Sequence, residues 1–351
     1  MYYVNPLIEK LVRIYPDGNR NGLLRLDMNE NPGGLPKDIV DKLVEKITPE
    51  FLSIYPDKNP LLESLARRHN LAVENFAITD GSEMALKYIF EVFGKPGCNL
   101  VSIFPTFEMY GVYANMYGVN HIKIDVDANF DFDINNILDA IDENTCIVSM
   151  LNPNNPAGRP YTDEEFLQVA EKTQSCGAIL IIDEAYHYFY KNTQVDLINR
   201  FDHIIVLRTF SKLYSIAACR IGYAISNPRM IDLINRARPT FDTNSIAITF
   251  ANALVNEEGL LESLIKIELE GRNYLMERLK SAGYEFYYGG GNYISIKTKS
   301  TPKIVQEKLL TEYKIAIKTS GYDILKDYIR VTTGDTKVME IFMDALLAVD
   351  K

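Results

Sequence analysis

Residues 178–183 read Ala-Ile-Leu-Ile-Ile-Asp, an apolar run that ends abruptly on a carboxylate. Such a run lacks the in–out alternation of a strand with one wet face, so it fits a strand covered on both faces. That requirement narrows the architecture more than any other feature of the chain. A sheet buried on both sides needs helices on both sides, and the surrounding sequence supplies them. Strand patterns recur at Phe76–Thr79, Leu100–Phe104, His121–Val126, Thr145–Met150 and Ile204–Leu207. Between them lie helical patterns: Gly81-Ser82-Glu83 opens one to Phe93, another spans Thr106–Tyr117, and Thr162 and Glu165 form a capping box for a third, to about Thr173. The alternation predicts an α/β fold with a mainly parallel sheet sandwiched by helices. In such sheets ligands sit beyond the carboxyl ends of the strands.

The flanks differ. Residues 1–35 read as irregular, with turns at 15–19 and 29–34, and a helix is predicted over Pro36–Ile47. Tyr55-Pro56-Asp57 is a turn, and Asn59 is predicted to cap a helix with Pro60 at its first position. After Ser245 one long helical region runs to about Ala282. Strands at 283–286, 293–297, 316–318 and 328–332, with helices near 302–312 and 335–349, make a smaller α+β lobe.

Composition removes several classes of function. The 351 residues are 47% hydrophobic and 24% charged, with a formal net charge of −10. That balance is ordinary for a globular protein and opposes nucleic acid or anionic membrane as a partner. No apolar run approaches a membrane span, and the first residues carry no signal-peptide pattern. Cys98, Cys146, Cys176 and Cys219 lack metal-ligand spacing and read as separate thiols of a reducing cytoplasm. His69, His121, His187 and His203 also lack ligand spacing and read as structural or surface residues.

Four polar clusters fall at predicted strand ends. Gly81-Ser82-Glu83 opens a helix with free backbone N–H groups suited to an anion. Asn152-Pro-Asn-Asn-Pro-Ala-Gly158 is a turn whose prolines hold Asn155 firmly. Asp183-Glu-Ala-Tyr186 closes the most apolar strand, where a carboxylate must be paired or belong to a site. Arg208-Thr-Phe-Ser211-Lys212, followed by Arg220, ends the strand from Ile204. Taken alone, this last stretch allows two readings: solvated charges at a strand end, or a lysine beside a phosphate that deprotonates enough to form an imine. Together the clusters suggest one ligand. It has a phosphate for Gly81–Glu83, Ser211 and Arg220, a basic ring nitrogen for Asp183, a ring hydroxyl for Asn155 and Tyr186, and an aldehyde for Lys212. Pyridoxal 5′-phosphate has all four.

The chain resembles the fold-type I pyridoxal-phosphate enzymes, in the aminotransferase class that includes histidinol-phosphate aminotransferase. The likeness spans nearly the whole length. It is carried by N-E-N-P (29–32), Y-P-D (55–57), G-S-E (81–83), P-T-F-E-M-Y (105–110), N-N-P-x-G (154–158), D-E-A-Y (183–186), S-K (211–212), R-I-G-Y (220–223) and R-V-T-T-G (330–334). The resemblance implies a seven-stranded large domain over 46–250, with a small domain built from 251–351 and the N-terminal segment 1–45. It implies that Lys212 is the imine lysine and acid/base, that Asp183 keeps the ring nitrogen protonated, and that Tyr186 and Asn155 bond the ring oxygen. Phe107 would stack on the ring. Gly81, Ser82, Glu83, Ser211 and Arg220 would hold the phosphate, joined by Tyr55 from the second subunit of a homodimer. Arg330 would bind the substrate's anionic group, Asn29 would lie in a closing segment, and Tyr15 would face the substrate. Taken singly, Phe107 reads as core, Tyr15 and Tyr55 as turn residues, and Asn29 as a turn cap.

Two departures stand out. Ala217-Ala218-Cys219 precedes Arg220 where the family has a glycine-leucine pair. Lys318 stands where histidinol-phosphate enzymes carry a second phosphate-binding arginine, and a lysine keeps the charge without the bidentate fork. The implied activity is a cytoplasmic aminotransferase of amino-acid biosynthesis that takes its amine from glutamate. Its acceptor would be a keto or aldehyde compound of the imidazole acetol phosphate type, or another phosphorylated or surface-polymer precursor. A decarboxylase of a phosphorylated amino acid such as threonine phosphate, on the same scaffold, is the alternative. A non-catalytic binding protein is a remoter one.

Overall fold

The central sheet has seven strands, and its order explains where a ligand can enter. In the computed structural model, which describes residues 2–13 and 20–351, they are β1 (Phe76–Thr79), β2 (Asn99–Phe104), β3 (Asn120–Asp125), β4 (Thr145–Leu151), β5 (Ile179–Asp183), β6 (Ile204–Thr209) and β7 (Gly222–Ile225). Their order across the sheet is β1-β7-β6-β5-β4-β2-β3. All pairings are parallel except those of β7, which runs antiparallel to both β1 and β6. The chain therefore steps outward from β2 to β3, then returns to place β4 on the other side of β2. Loops leaving β2 and β4 diverge at that reversal and open a crevice.

β5 is covered on both faces, as its sequence requires. Leu180, Ile181 and Ile182 are fully buried, each contributing about 1.5–3 kcal/mol through burial. One core gathers Leu180, Ile182 and Val206, and a second, on the opposite face, gathers Ile181, Ile205 and Leu207. The second is filled by α1 (Ser82–Phe93) and α2 (Met109–Tyr117), which contribute Leu86, Ile89, Phe90 and Tyr110. The first is filled by α3 (Asp163–Cys176) and α4 (Ser245–Asn256), through Phe166, Val169, Ile248 and Ala251. The capping box of α3 forms as its sequence predicts, with Thr162 and Glu165 exchanging hydrogen bonds of 2.8 and 3.2 Å.

A third core joins α5 (Leu260–Ser281), α6 (Thr336–Val349) and a four-stranded antiparallel sheet. Its strands are β8 (Phe286–Tyr287), β9 (Tyr293–Lys297), β10 (Lys318–Thr319) and β11 (Tyr328–Thr332), in the order β10-β11-β9-β8. Leu26, from the N-terminal segment, is buried in this core, and Leu24–Arg25 pairs in parallel with Ile315–Ala316.

Several boundaries differ from the sequence reading. The long helical region after Ser245 is two helices, broken where Gly259 takes a left-handed φ of +71°. Asn59 lies inside its helix, with Lys58 at the cap position and Asp57 accepting the Asn59 N–H at 3.0 Å. Short helices at Pro6–Glu9, Pro49–Ser53, Ile134–Ala140 and Pro228–Arg236 were not foreseen. The predicted strand at 316–318 is split between two sheets. The reading of four separate thiols is corrected as well. Cys98 and Cys146 are joined by a disulfide, with Cα atoms 5.9 Å apart. They are 48 positions apart in sequence, but they sit at the adjoining N-terminal ends of β2 and β4. Cys176 and Cys219 are free. No helix among the described residues is long and apolar enough to cross a membrane.

The carboxyl ends of β5 and β6 are locked together by a buried ion pair. Arg208 Nε and Nη2 donate to Glu184 Oε2 at 2.9 and 2.7 Å, and Glu184 Oε1 accepts the Gln194 N–H at 2.6 Å. Removing one partner strands the other charge in the core. Glu184→Ala is expected to lower unfolding free energy by about 3–5 kcal/mol, read from the denaturant midpoint at constant m-value. A loss below about 1 kcal/mol, the scale of an exposed ion pair, contradicts this account.

Candidate active site

Adjacent strand ends place the titratable groups. β4, β5 and β6 run in register, with Leu151 beside Asp183 and Asp183 beside Leu207. Asp183 therefore ends its strand between two leucines, 2% exposed. Two donors reach its carboxyl group: Tyr110 Oη to Oδ2 at 2.9 Å, and the Ala185 N–H to Oδ1 at 3.0 Å. Burial pushes the group up to about 6, against these two hydrogen bonds. It is thus a carboxylate at neutral pH, and a comparatively basic one.

Lys212 follows β6 after Phe210 and Ser211. Its Nζ donates to the Met28 carbonyl at 3.0 Å. Burial, reinforced by Arg330, lowers the amine to about 8, while Glu30 and Asp183 pull the other way. A measurable fraction is therefore the uncharged nucleophile near neutrality. Tyr186 lies beside it, the Lys212 Nζ standing 5.8 Å from its ring centroid. Burial pushes the Tyr186 phenol up to about 12, so it stays a neutral donor. It accepts a hydrogen bond of 2.8 Å from Asn29 Nδ2.

The crevice between the β2 and β4 loops supplies the next groups. Asn154 ties the two loops together, accepting from Thr106 Oγ1 at 2.7 Å and donating to the Pro105 carbonyl at 2.8 Å. This fixes Phe107 and Asn155 on the cavity wall. Asn155 Oδ1 accepts from Arg330 Nη1, and Arg330 Nη2 donates to the Asp27 carbonyl at 2.9 Å. Asn155 therefore keeps its amide N–H groups for a ligand.

An anion cradle closes one end. Gly81 has φ +78°, and a Cβ there would lie 2.9 Å from Arg220 Nη2. A Cβ on Gly222 would lie 2.5 Å from the Ser82 nitrogen. Both glycines thus let the start of α1 and Arg220 approach each other, with the first-turn N–H groups of α1 facing the gap. Arg220 Nη2 stands 3.6 Å from Glu83 Oε2. Ser211 lies opposite, its N–H donating to Thr209 Oγ1 at 3.1 Å. Cationic, hydroxyl and backbone donors at one end, and a carboxylate, phenol and amine at the other, fit a phosphorylated pyridine aldehyde.

At the far end, the side chains of Ser295, Arg330 and Lys318 form a cross-strand row over β9, β11 and β10. The cavity is about 820 Å³, within the usual range for a small-molecule site. It brings together Asn29, Gly81, Ser82, Glu83, Phe107, Asn155, Asp183, Tyr186, Ser211, Lys212, Arg220, Lys318 and Arg330. It does not include Tyr55, which is 75% exposed and stacks on Phe241 at 4.4 Å. Tyr15 lies outside the described residues. Sequence reasoning did not single out Tyr110, Thr106, Asn154 or the carbonyls of Asp27 and Met28. Tyr110 carried a signal, since it stands one helical turn from Phe107.

Among known proteins, the profile of the family described as aminotransferase class I and II matches residues 21–346. A histidinol-phosphate aminotransferase from Thermoanaerobacter pseudethanolicus is 28% identical over 352 residues, covering 97% of this chain and 99% of that protein. The fold is similar to that of histidinol-phosphate aminotransferase from Sinorhizobium meliloti, solved in complex with pyridoxal 5′-phosphate. That match has a TM-score of 0.88 at 21% identity, covering 99% and 98% of the two chains. It is also similar to L-threonine-O-3-phosphate decarboxylase from Porphyromonas gingivalis, with a TM-score of 0.78 at 20% identity over 93% and 99% of the chains.

The lowered Lys212 amine sets a pH dependence. Only the uncharged amine reacts with an acylating reagent, so labelling of Lys212 in the apoprotein should rise about tenfold per pH unit below about 8 and level off above it. An unperturbed lysine in an added reference peptide should keep rising towards about 10.4. Peptide mass spectrometry reads both. Lys212 labelling that climbs without a break past pH 9 contradicts the assignment.

Proposed function

The chain belongs to the aminotransferase class I and II family, and on that footing we propose that it binds pyridoxal 5′-phosphate and moves an amino group from glutamate to a phosphorylated keto or aldehyde acceptor. The observation that carries the reading is the convergence of Asp183, Lys212, Tyr186 and the Arg220–Ser82 cradle on one cavity. When bound, the cofactor supplies an electron sink that makes the substrate's α-proton acidic. The protein's part is to bind, orient and move protons. Arg220, Ser211 and the N–H groups of Gly81, Ser82 and Glu83 hold the phosphate. Asp183 keeps a proton on the ring nitrogen, and Phe107 covers the ring. Tyr186 and the Asn155 amide donate to the ring oxygen. Lys212 Nζ would hold the cofactor at its aldehyde carbon and, when free, would take up the proton lost from the substrate carbon.

Arg330 binds the carboxylate of glutamate, and Lys318 adds a second cation for the acceptor's phosphate. Asn29 joins the N-terminal segment to Tyr186, so that segment closes over bound substrate, with Tyr15 facing it. The unit that closes comprises 251–351 with 1–45, against a cofactor-binding unit of 46–250. The protein works as a homodimer in which Tyr55 reaches the phosphate of the neighbouring subunit. Its exposed, ring-stacked position in a single chain suits that role. The aminotransferase reading is preferred to decarboxylation because of the full-length relatives. The histidinol-phosphate aminotransferases among its relatives favour an acceptor of the imidazole acetol phosphate type.

A half-reaction screen tests the reading. The cofactor-loaded protein should be yellow, and its visible band should disappear with glutamate and return with the correct acceptor. Lys212→Ala should lower turnover by at least about 10³-fold. Carbon dioxide release from a phosphorylated amino acid, with no need for a keto acid, would establish the decarboxylase instead. Lys318→Ala should reduce kcat/KM for a phosphorylated acceptor by about 10–100-fold, the worth of a charge-assisted contact, while leaving the glutamate half-reaction within a few-fold. Equal losses in both half-reactions would rule out Lys318 as the acceptor's phosphate ligand.

A further inference from the structure

Tyr110 is fully buried on the first turn of α2. A phenylalanine there would fill nearly the same volume and bury no hydroxyl. The hydroxyl instead meets the one carboxylate that ends β5, at 2.9 Å from Asp183 Oδ2. The alternative, a core tyrosine that has merely found an acceptor, leaves two observations unexplained.

The first concerns the carboxylate. Its in-register neighbours on β4 and β6 are Leu151 and Leu207, which offer it no side-chain donor. The ionisable groups facing it are Tyr110 from α2, Tyr186 and Glu184 from its own loop, and Lys212 from the loop after β6. Glu184 repels the charge and is itself committed to Arg208. Lys212 Nζ is committed to Met28. Of these groups, Tyr110 alone donates a hydrogen bond to the carboxyl group.

The second concerns direction. Ser149 lies on β4, two residues before Leu151 and so on the same face. It is buried, and its hydroxyl makes no hydrogen bond among the described residues. It neighbours the Tyr110 phenol and favours the phenol's charged form. Were Ser149 to turn its proton to the phenolic oxygen, the phenol's own proton would stay committed to Asp183. Such a chain polarises in one sense and strengthens the final bond.

We propose that Tyr110, backed by Ser149, is a positioning residue of the reaction: its hydroxyl holds Asp183 ionised and aimed, so that the ring nitrogen Asp183 faces keeps its proton. The inference rests on the cofactor reading above. It assigns the electronic tuning of the site partly to α2, whose leading loop also carries Phe107, with its ring in edge-to-face contact with Tyr110 at 6.0 Å. One helix start therefore governs both the face of the ring and its nitrogen.

The test compares wild type, Tyr110→Phe and Ser149→Ala with two spectroscopic readouts. In the apoprotein, carbon-13 NMR follows the Asp183 carboxyl group, assigned with Asp183→Asn. In the holoprotein, nitrogen-15 NMR with ring-labelled cofactor reports the protonation of the ring nitrogen. Loss of a donor to the charged form raises a carboxyl pKa, so Tyr110→Phe should shift the Asp183 midpoint up by about one pH unit or more. It should also move the ring-nitrogen signal towards that of unprotonated pyridine and lower kcat about tenfold or more, with thermal stability retained. Ser149→Ala should shift both signals the same way by less. If Tyr110→Phe folds with both signals at their wild-type values, Tyr110 only packs and the proposal is overturned, whatever happens to kcat. A wild-type protein that takes up no cofactor overturns the functional reading together with this one. Normal transamination with unmoved signals overturns the role of Tyr110 alone.

Discussion

The structure depends on holding a carboxylate and an amine at the ends of apolar strands, where burial opposes the charge of each. Asp183 ends β5 and Lys212 follows β6, neighbouring parallel strands whose residues are otherwise apolar except for Arg208 and Thr209, so both groups lack the full dielectric of the surface. Each is held by a small number of fixed donors or acceptors: Tyr110 and the Ala185 N–H for Asp183, the Met28 carbonyl for Lys212. The result is a carboxylate more basic than usual and an amine more acidic than usual in the same cavity. A surface site could not maintain that separation, because solvent would return both groups to ordinary values. The buried Arg208–Glu184 pair one residue further along the same strands keeps their ends from parting.

The second consequence is mechanical. Groups lining the cavity are bonded to groups of the N-terminal segment and the smaller sheet. Asn155 accepts from Arg330, Tyr186 accepts from Asn29, and Lys212 donates to Met28. Asn29 is itself anchored to the smaller sheet, through its N–H to Thr332 Oγ1 at 3.0 Å and its carbonyl to Asn292 at 3.1 Å. A shift of either side thus alters hydrogen bonds at the cavity's side chains directly, without a relay through the core.

Much of this was legible in the sequence, for physical reasons. β5 announced itself because a strand covered on both faces is apolar throughout, and Asp183 because a carboxylate at its end needs a role. The capping box of α3 is local chemistry and could be read from Thr162 and Glu165. What was missed depends on contacts between distant residues. Cys98 and Cys146 pair because β2 and β4 become neighbours only through the reversal in strand order, which spacing along the chain does not reveal. The break at Gly259 was hidden by helical periodicity continuing on both sides of it. The Asp27 and Met28 carbonyls have no side-chain signature. Tyr110 shows its role only through the Asp183 carboxylate at its hydroxyl, 73 positions away in sequence.

The central claim is that one lysine, at the end of β6, carries the cofactor. Borohydride reduction of the cofactor-loaded protein, followed by proteolysis and mass spectrometry, locates the pyridoxyl-modified residue. The account predicts a single modified site at Lys212. Modification at Lys318, the other lysine lining the cavity, or at any other lysine with Lys212 left free, would contradict it.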